Sequence, residues 1–324
     1  MPTSLYDLPF DQYSRQRIVA DTLNGLRQKT ERFSVLDVGG YKGKTAEFLP
    51  NDRIKVLDVF DVQDKDYIKG DGTNLRLEDD SFDFTVSFDV LEHIDKNHRE
   101  RFILECARVA KRGFFLCCPF ENGLGHTTTA EKNLDDIYKR LTGHDHQWLR
   151  EHIDNKLPTA EAIEAILKRG KLHFAKRYSN RLEDWVAMQM IFFYSDALGV
   201  VSTQAGDLNR YYNNNFNIFE NDVSQDDAYR VIYFISEDQA NATKVRQLFV
   251  RNKPAARPLS IAEKIPPAIT EIIEQKLDEQ KQIIAAKNTD ISRLEKGITD
   301  LRGSLSWKLT EPLRYLSNLL KRKA

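Results

Sequence analysis

Cysteine is scarce in this 324-residue chain. The three present, Cys106, Cys117 and Cys118, are an odd number without metal-ligand spacing. That argues against a disulfide framework and a zinc motif, and the adjacent pair inside an apolar run reads as reduced core residues. Long hydrophobic runs are also missing. None approaches the ~20 residues of a membrane-spanning helix, and the N-terminus has neither a basic start nor a long apolar core, so a cytoplasmic protein is expected. Nor does charge of one sign dominate: 48 Lys and Arg face 49 Asp and Glu for a net charge of -1. Bulk attraction to a polyanion is excluded, and no nucleic-acid partner is expected. What is there is 41% hydrophobic content, enough for a core in one large or two modest domains.

The most informative stretch is Ser34-Val35-Leu36-Asp37-Val38-Gly39-Gly40-Tyr41-Lys42-Gly43. An apolar, β-branched run closing on an acid and then on glycines reads as a buried strand, a tight turn and a helix start near Lys44. Its glycines let backbone approach a ligand where a Cβ would collide. A dinucleotide fingerprint needs glycine at the first, third and sixth turn positions, which here are Gly39, Tyr41 and Lys44, so a nicotinamide enzyme fits poorly. A second strand, Ile54 to Val59, ends near an acid, Asp58, 21 positions beyond Asp37. A βαβ unit imposes about that spacing on the carboxylate that accepts both ribose hydroxyls of an adenosine; Asp61 competes from the loop beyond. Further acids follow at Asp71, in the polar turn Lys69 to Leu75, and at Asp89, after the apolar stretch Phe82 to Phe88.

Asp37, Gly39 and Gly43 match motif I of the class I S-adenosylmethionine (SAM) dependent methyltransferases, with Tyr41 departing from its third position. Ser81-Phe82-Asp83 and Asp89-Val90-Leu91-Glu92-His93 resemble the corresponding segment of the small-molecule and lipid methyltransferases grouped with ubiquinone-biosynthesis enzymes. The resemblance covers about residues 33–120. It implies a Rossmann-like α/β fold with a mostly parallel seven-stranded sheet and helices on both faces. It also implies SAM as cofactor, held by Asp37, Gly39, Gly40, Tyr41, Gly43, Asp58, Val59, Asp71, Gly72, Asp89 and Val90. In that family the motif I acid meets the methionine end and the acid at Asp71 meets the adenine amino group. The competing reading of Asp71 is a ligand-free Asx turn.

An amphipathic helix over about 11–32 should precede the first strand, a helix over 97–111 should bury Phe102, Ile103, Cys106 and Val109, and a buried strand should run from Gly113 to Phe120. Residues 121–158, polar and rich in histidine, read as a substrate cap. A helix over 159–169, a late strand over 172–178, a buried helix over 185–198 and a last strand over 228–235 complete a domain ending near Val250. Pro254, Pro258, Pro266 and Pro267 mark 251–267 as a linker. Over 268–302, Ile273, Leu277, Ile284, Ile291, Leu294, Ile298 and Leu301 fall on a heptad seam interrupted by Gln280 and Lys287, which favours a coiled coil and a homo-oligomer. The ending 303–324, Ser304-Leu305-Ser306-Trp307-Lys308-Leu309-Thr310-Glu311-Pro312-Leu313-Arg314, resembles the tail of many bacterial glycosyltransferases and methyltransferases of surface-polysaccharide assembly. Basic and amphipathic, it suits peripheral contact with an anionic membrane as well as docking on a partner chain.

These features together point to methyl transfer onto a small-molecule or glycan acceptor, a surface-glycan hydroxyl being favoured. Another small-molecule or lipid methyltransferase and a non-catalytic scaffold are the alternatives. A hydroxyl acceptor needs a base, and the candidates are Glu92, His93, Glu121, His144, His146 and His152, with the three histidines 93, 146 and 152 foremost. For His93 the competing role is to shape the helix start beside the methionine moiety. No metal ligands are assigned, since the histidine spacing matches no common motif.

Overall fold

Seven strands form one sheet: β1 (Ser34–Val38), β2 (Arg53–Asp58), β3 (Tyr67–Lys69), β4 (Phe82–Phe88), β5 (Ala110–Pro119), β6 (His173–Arg181) and β7 (Ala228–Ser236). The computed structural model describes residues 4–41, 43–122, 124–200, 203–219, 223–250, 265–311 and 314. The order across the sheet is β3-β2-β1-β4-β5-β7-β6. β1 to β5 are parallel, and β7 runs antiparallel between β5 and β6. The mostly parallel seven-stranded sheet with helices on both faces, as the sequence leads one to expect, is therefore the architecture observed. Strand order reverses between β1 and β4, and a crevice at the carboxyl ends of strands is where such sheets bind ligands.

Alternation assigns neighbouring residues to opposite faces. Leu36, Phe114 and Leu116 pack with Phe102, Ile103, Ile163 and Leu167 on one face, beneath α3 (Arg99–Arg108) and α6 (Ala160–Arg169). Val35, Phe115 and Cys117 pack with Ile18, Val19, Leu23 and Val245 on the other, where α1 (Phe10–Leu26) and α10 (Gln239–Val250) lie. All three cysteines are free and buried. Between these helices the chain also forms α2 (Thr45–Phe48), α4 (His126–Thr142), α5 (Gln147–Asn155), α7 (Leu182–Leu198), α8 (Thr203–Asn214) and α9 (Phe216–Phe219).

Two boundaries differ from expectation for visible reasons. The first helix stops at Leu26 rather than near Arg32, because Arg27 turns extended and forks onto Asp52 through two 2.7 Å bonds, over the ring of Phe33. α3 stops at Arg108 rather than Lys111. The Arg108 guanidinium ties back to Glu105, Asp79 and the carbonyls of Leu75 and Leu77, and Ala110 already pairs with Phe82.

The chain divides into two compact units, Met1–Ile269 and Thr270–Ala324. Residues 251–264 of the expected linker lie outside the described residues, and 265–267 already belong to helix α11 (Ile265–Gly303). Pro266 and Pro267 occupy its first turn, where a missing N–H costs nothing. At 39 residues α11 is about 58 Å long. In the single chain its heptad residues are exposed, from 49% at Ile298 to 63% at Leu294. A short helix, α12 (Leu305–Leu309), follows, capped by Ser304, whose Oγ accepts from Trp307 N at 3.2 Å. Of the tail, 312–313 and 315–324 lie outside the described residues. No helix among the described residues is long and apolar enough to cross a membrane.

Candidate active site

The ends of β1 to β4 deliver four loops to one cavity of about 490 Å³, a size typical of small-molecule sites. Gly39 follows β1, Asp58, Val59 and Phe60 follow β2, Asp71, Gly72 and Thr73 follow β3, and Asp89, Val90 and His93 follow β4. The glycine turn is held against β2 by two bonds, Gly39 N to Leu57 O at 2.7 Å and Tyr41 N to Asp58 Oδ2 at 3.1 Å. Gly39 takes φ +80°, and a Cβ there would lie 2.3 Å from Val90 Cγ2, so only glycine lets the turn close on that loop.

Asp58 accepts one backbone N–H on each oxygen, the second from Val59 at 2.7 Å. Each oxygen keeps acceptor capacity for a ligand hydroxyl. Asp71 forms the Asx turn, with Oδ1 accepting from Thr73 N and Oγ1 at 2.8 and 2.9 Å, and it lines the cavity as well. Val90, Ile94 and Phe102 supply apolar wall, and the exposed Phe60 also lines the cavity. A carboxylate at the end of β2, apolar flanks and a glycine turn are groups that could hold an adenosyl moiety, Asp58 being the residue that could meet ribose hydroxyls and Asp71 the one that could meet the base.

Four residues expected here lie elsewhere. Asp37, Gly40, Tyr41 and Gly43 line a separate cavity of about 410 Å³. Asp37 is buried within β1, one residue before its end; its Oδ2 accepts from Thr45 Oγ1 at 2.6 Å, while Oδ1 has no hydrogen-bond partner. A Cβ on Gly40 would lie 2.3 Å from the Asp37 carboxyl carbon, so the turn sits directly upon that side chain. The three acids Asp37, Asp58 and Asp71 thus do not share one cleft.

A third cavity, of about 590 Å³, shares Asp89 and His93 with the first. It brings together His93, His146 and His152, though His146 is the N-cap of α5 and His152 lies within that helix. Glu121 instead caps α4, accepting from Thr127 N and Thr128 N at 3.2 Å, and His144 is exposed. Burial lowers the pKa of His146.

Sequence reasoning missed the two arginines of this cavity, Arg15 and Arg230. Arg230, 1% exposed on β7, donates to both oxygens of Asp89, Nε at 2.9 Å and Nη2 at 2.6 Å, and Arg15 of α1 also donates to Asp89. Burial alone would raise the Asp89 pKa, but the two guanidinium groups outweigh it and hold the carboxyl below its usual range. Burial, and then the charge of Asp89, push Glu92 up. His152 is lowered by burial but raised by more through Glu131 and Glu92, for a net rise. Burial lowers His93, and the charge of His152 adds to this. Although the sequence suggests no metal ligands, the ligand atoms of Glu92, His93 and His152 lie within 4.8 Å of one another.

Part of the chain resembles known proteins. Residues 36–118 match the family model described as a methyltransferase domain, the span that carries β1 to β5. S-adenosyl-L-methionine is the cofactor of that domain. Solved structures similar to the chain include the YcgJ protein of Bacillus subtilis, at 14% identity over 69% of this chain and 99% of that one, TM-score 0.40. A SAM-dependent methyltransferase of Thermotoga maritima is 15% identical over 69% of this chain and 89% of that one, TM-score 0.40. The 1,6-didemethyltoxoflavin-N1-methyltransferase of Burkholderia thailandensis, solved with bound 1,6-didemethyltoxoflavin and S-adenosylhomocysteine, is 13% identical over 69% of this chain and 77% of that one, TM-score 0.38. No curated protein matches the chain.

Proposed function

We propose that the first unit transfers a methyl group from SAM to a hydroxyl of an acceptor seated in the third cavity, and that the acceptor is a bacterial surface glycan or its lipid-linked precursor. The observation that carries this reading is the pair of adjoining cavities with Asp89 and His93 in the wall of both. One has the carboxylate and glycine turn an adenosine needs. The other has the aromatic walls and polar groups an oxygenated acceptor needs. When bound, SAM supplies an electrophilic methyl on a sulfonium whose leaving group is neutral. The chain's own task is then alignment and care of the hydroxyl proton.

Trp148, Trp185, Phe192 and Phe193 offer flat apolar surfaces to an acceptor ring. The buried Trp185 Nε1 has no hydrogen-bond partner and can donate to an acceptor oxygen. His152 and His93 face the same cavity, and with no ion between them either could take the hydroxyl proton through Nε2. The glycan assignment rests on the resemblance of the ending 304–314 to tails of polysaccharide-assembly enzymes.

Titration calorimetry with S-adenosylhomocysteine tests the cofactor assignment. Asp58→Ala is expected to weaken binding by about 1–3 kcal/mol, roughly 5- to 150-fold in Kd. Unchanged affinity removes Asp58 from the site, and no heat with wild-type protein favours a scaffold without turnover. Labelled SAM supplied with surface glycans, quinones and lipids from the host decides the acceptor by the fraction that takes up the methyl group.

Self-association through α11 is the second part of the proposal, supported by the exposed heptad residues. Polar Gln280 and Lys287 at inner positions would set register at some cost in stability. A chain ending at Ile269 should be monomeric by light scattering while the full chain is oligomeric. Identical masses per particle would end this reading.

A further inference from the structure

His93 and His152 face each other through Nε2, 3.4 Å apart. Each ring is held from behind by its own carboxylate: His93 Nδ1 lies 2.7 Å from Glu151 Oε2 and His152 Nδ1 lies 2.9 Å from Glu131 Oε1. Glu131 also accepts from Tyr229 Oη at 2.9 Å. A carboxylate on Nδ1 assigns the proton to that nitrogen, so both Nε2 lone pairs point into the same gap. The third wall is Glu92, 0% exposed. Neither of its oxygens has a hydrogen-bond partner, and Oε1 stands 3.9 Å from His152 Nε2. Two lone pairs and an unpartnered buried carboxylate around one point are costly unless something positive sits between them.

We propose that Glu92, His93 and His152 bind a divalent transition-metal cation, with Glu131 and Glu151 orienting the two imidazoles. Two nitrogens each 2.0–2.1 Å from a tetrahedral ion lie about 3.3 Å apart, close to the 3.4 Å observed. Glu92 Oε1, 3.9 Å from His152 Nε2, would draw closer to bind the same ion. Two imidazoles and one carboxylate suit zinc, manganese, iron, cobalt or nickel, whereas calcium and magnesium take oxygen ligands. The carboxylate behind each ring is the usual outer support of a metal-bound histidine. The remaining coordination positions open on the third cavity, lined by all three residues. If the methyltransferase reading holds, on which this role rests, the cation fixes the acceptor oxygen beside the cofactor cavity, and a hydroxyl or vicinal diol is the acceptor group it takes.

Full-length protein freed of metal with a chelator and titrated with Zn²⁺, Mn²⁺ and Co²⁺ tests the site, with the zinc, manganese and cobalt content after gel filtration as readout. One equivalent per chain is expected in wild type and none in Glu92→Gln or His152→Ala. Glu131→Gln should bind about 10–100-fold more weakly. Equal uptake by wild type and both ligand variants overturns the proposal. So does no uptake by wild type, in which case the facing rings share a proton. Because a buried variant can fail to fold, the wild-type Co²⁺ absorption spectrum is read as well. A four- or five-coordinate spectrum is expected with nitrogen ligands, and that of the hydrated ion overturns the site. Binding of S-adenosylhomocysteine is measured on the same metal-free sample. Its loss with metal uptake intact overturns the methyltransferase reading and leaves the metal site standing; the reverse result overturns the metal site alone.

Discussion

Asp89→Ala should lower the free energy of unfolding by about 3–5 kcal/mol, the cost of removing one partner from a buried ion pair. Arg230 projects from β7, a strand buried along its whole length, and its guanidinium is neutralised by the two oxygens of Asp89. Asn180 accepts a third bond from Nη1 at 2.6 Å, but it carries no charge. Arg15 converges on the same carboxylate, so alanine at 89 would leave two cations with only Asp11, 3.7 Å from Arg15, as a nearby counter-charge. Asp89 also takes φ +53°, a left-handed conformation that Asp and Asn tolerate better than other L-residues. Asp89→Asn keeps that tolerance and the shape while losing the charge, and should fall between wild type and alanine. Adding Arg230→Met to Asp89→Ala should recover part of the loss, because the charge left stranded is then gone. Equilibrium denaturation measures all three. A loss below about 1 kcal/mol for Asp89→Ala would make the cluster equivalent to a surface pair and refute this account.

The sheet was legible because its strands announce themselves by apolar runs and by acids at their ends. β3 was not, since three residues are too few to carry a pattern. α8 was hidden for a different reason: its inward face includes Asn209 and Asn213. Asn209 Oδ1 accepts from Phe10 N at 2.9 Å, and Asn213 Nδ2 donates to Tyr6 O and Leu8 O. Polar residues at the core face erase the hydrophobic period by which a helix is read. In the site, Asp58 followed from a strand end and its spacing from Asp37, whereas Asp71 and Asp89 followed from the resemblance to class I methyltransferases. Arg230 left one signal, an arginine inside the apolar run Ala228 to Ile235, which only a buried counter-charge explains. Glu131 and Glu151 left none. They come from helices 21 positions before His152 and 58 after His93, and only tertiary packing brings them behind the imidazoles.

Asp37→Asn should remove a pH dependence of stability that the glycine turn imposes. Asp37 is 1% exposed, and burial raises its pKa from the ordinary 3.8 to about 6, partly opposed by the Thr45 hydroxyl and the charge of Arg15. A carboxyl raised on folding is more easily charged in the unfolded chain. Its contribution is therefore fully present below about pH 4 and lost as pH rises through about 6. At 1.36 kcal/mol per pH unit the rise amounts to about 3 kcal/mol. Between those limits wild type should fall by that amount relative to Asp37→Asn, and the difference should stay level above pH 6. Asparagine keeps an oxygen for Thr45 and does not ionise, so it isolates the charge from the shape. Urea denaturation of both proteins at stepped pH is the measurement. A constant difference across the window would mean that Asp37 is compensated by a group other than Thr45 and Arg15, and that its unpartnered oxygen is satisfied in solution.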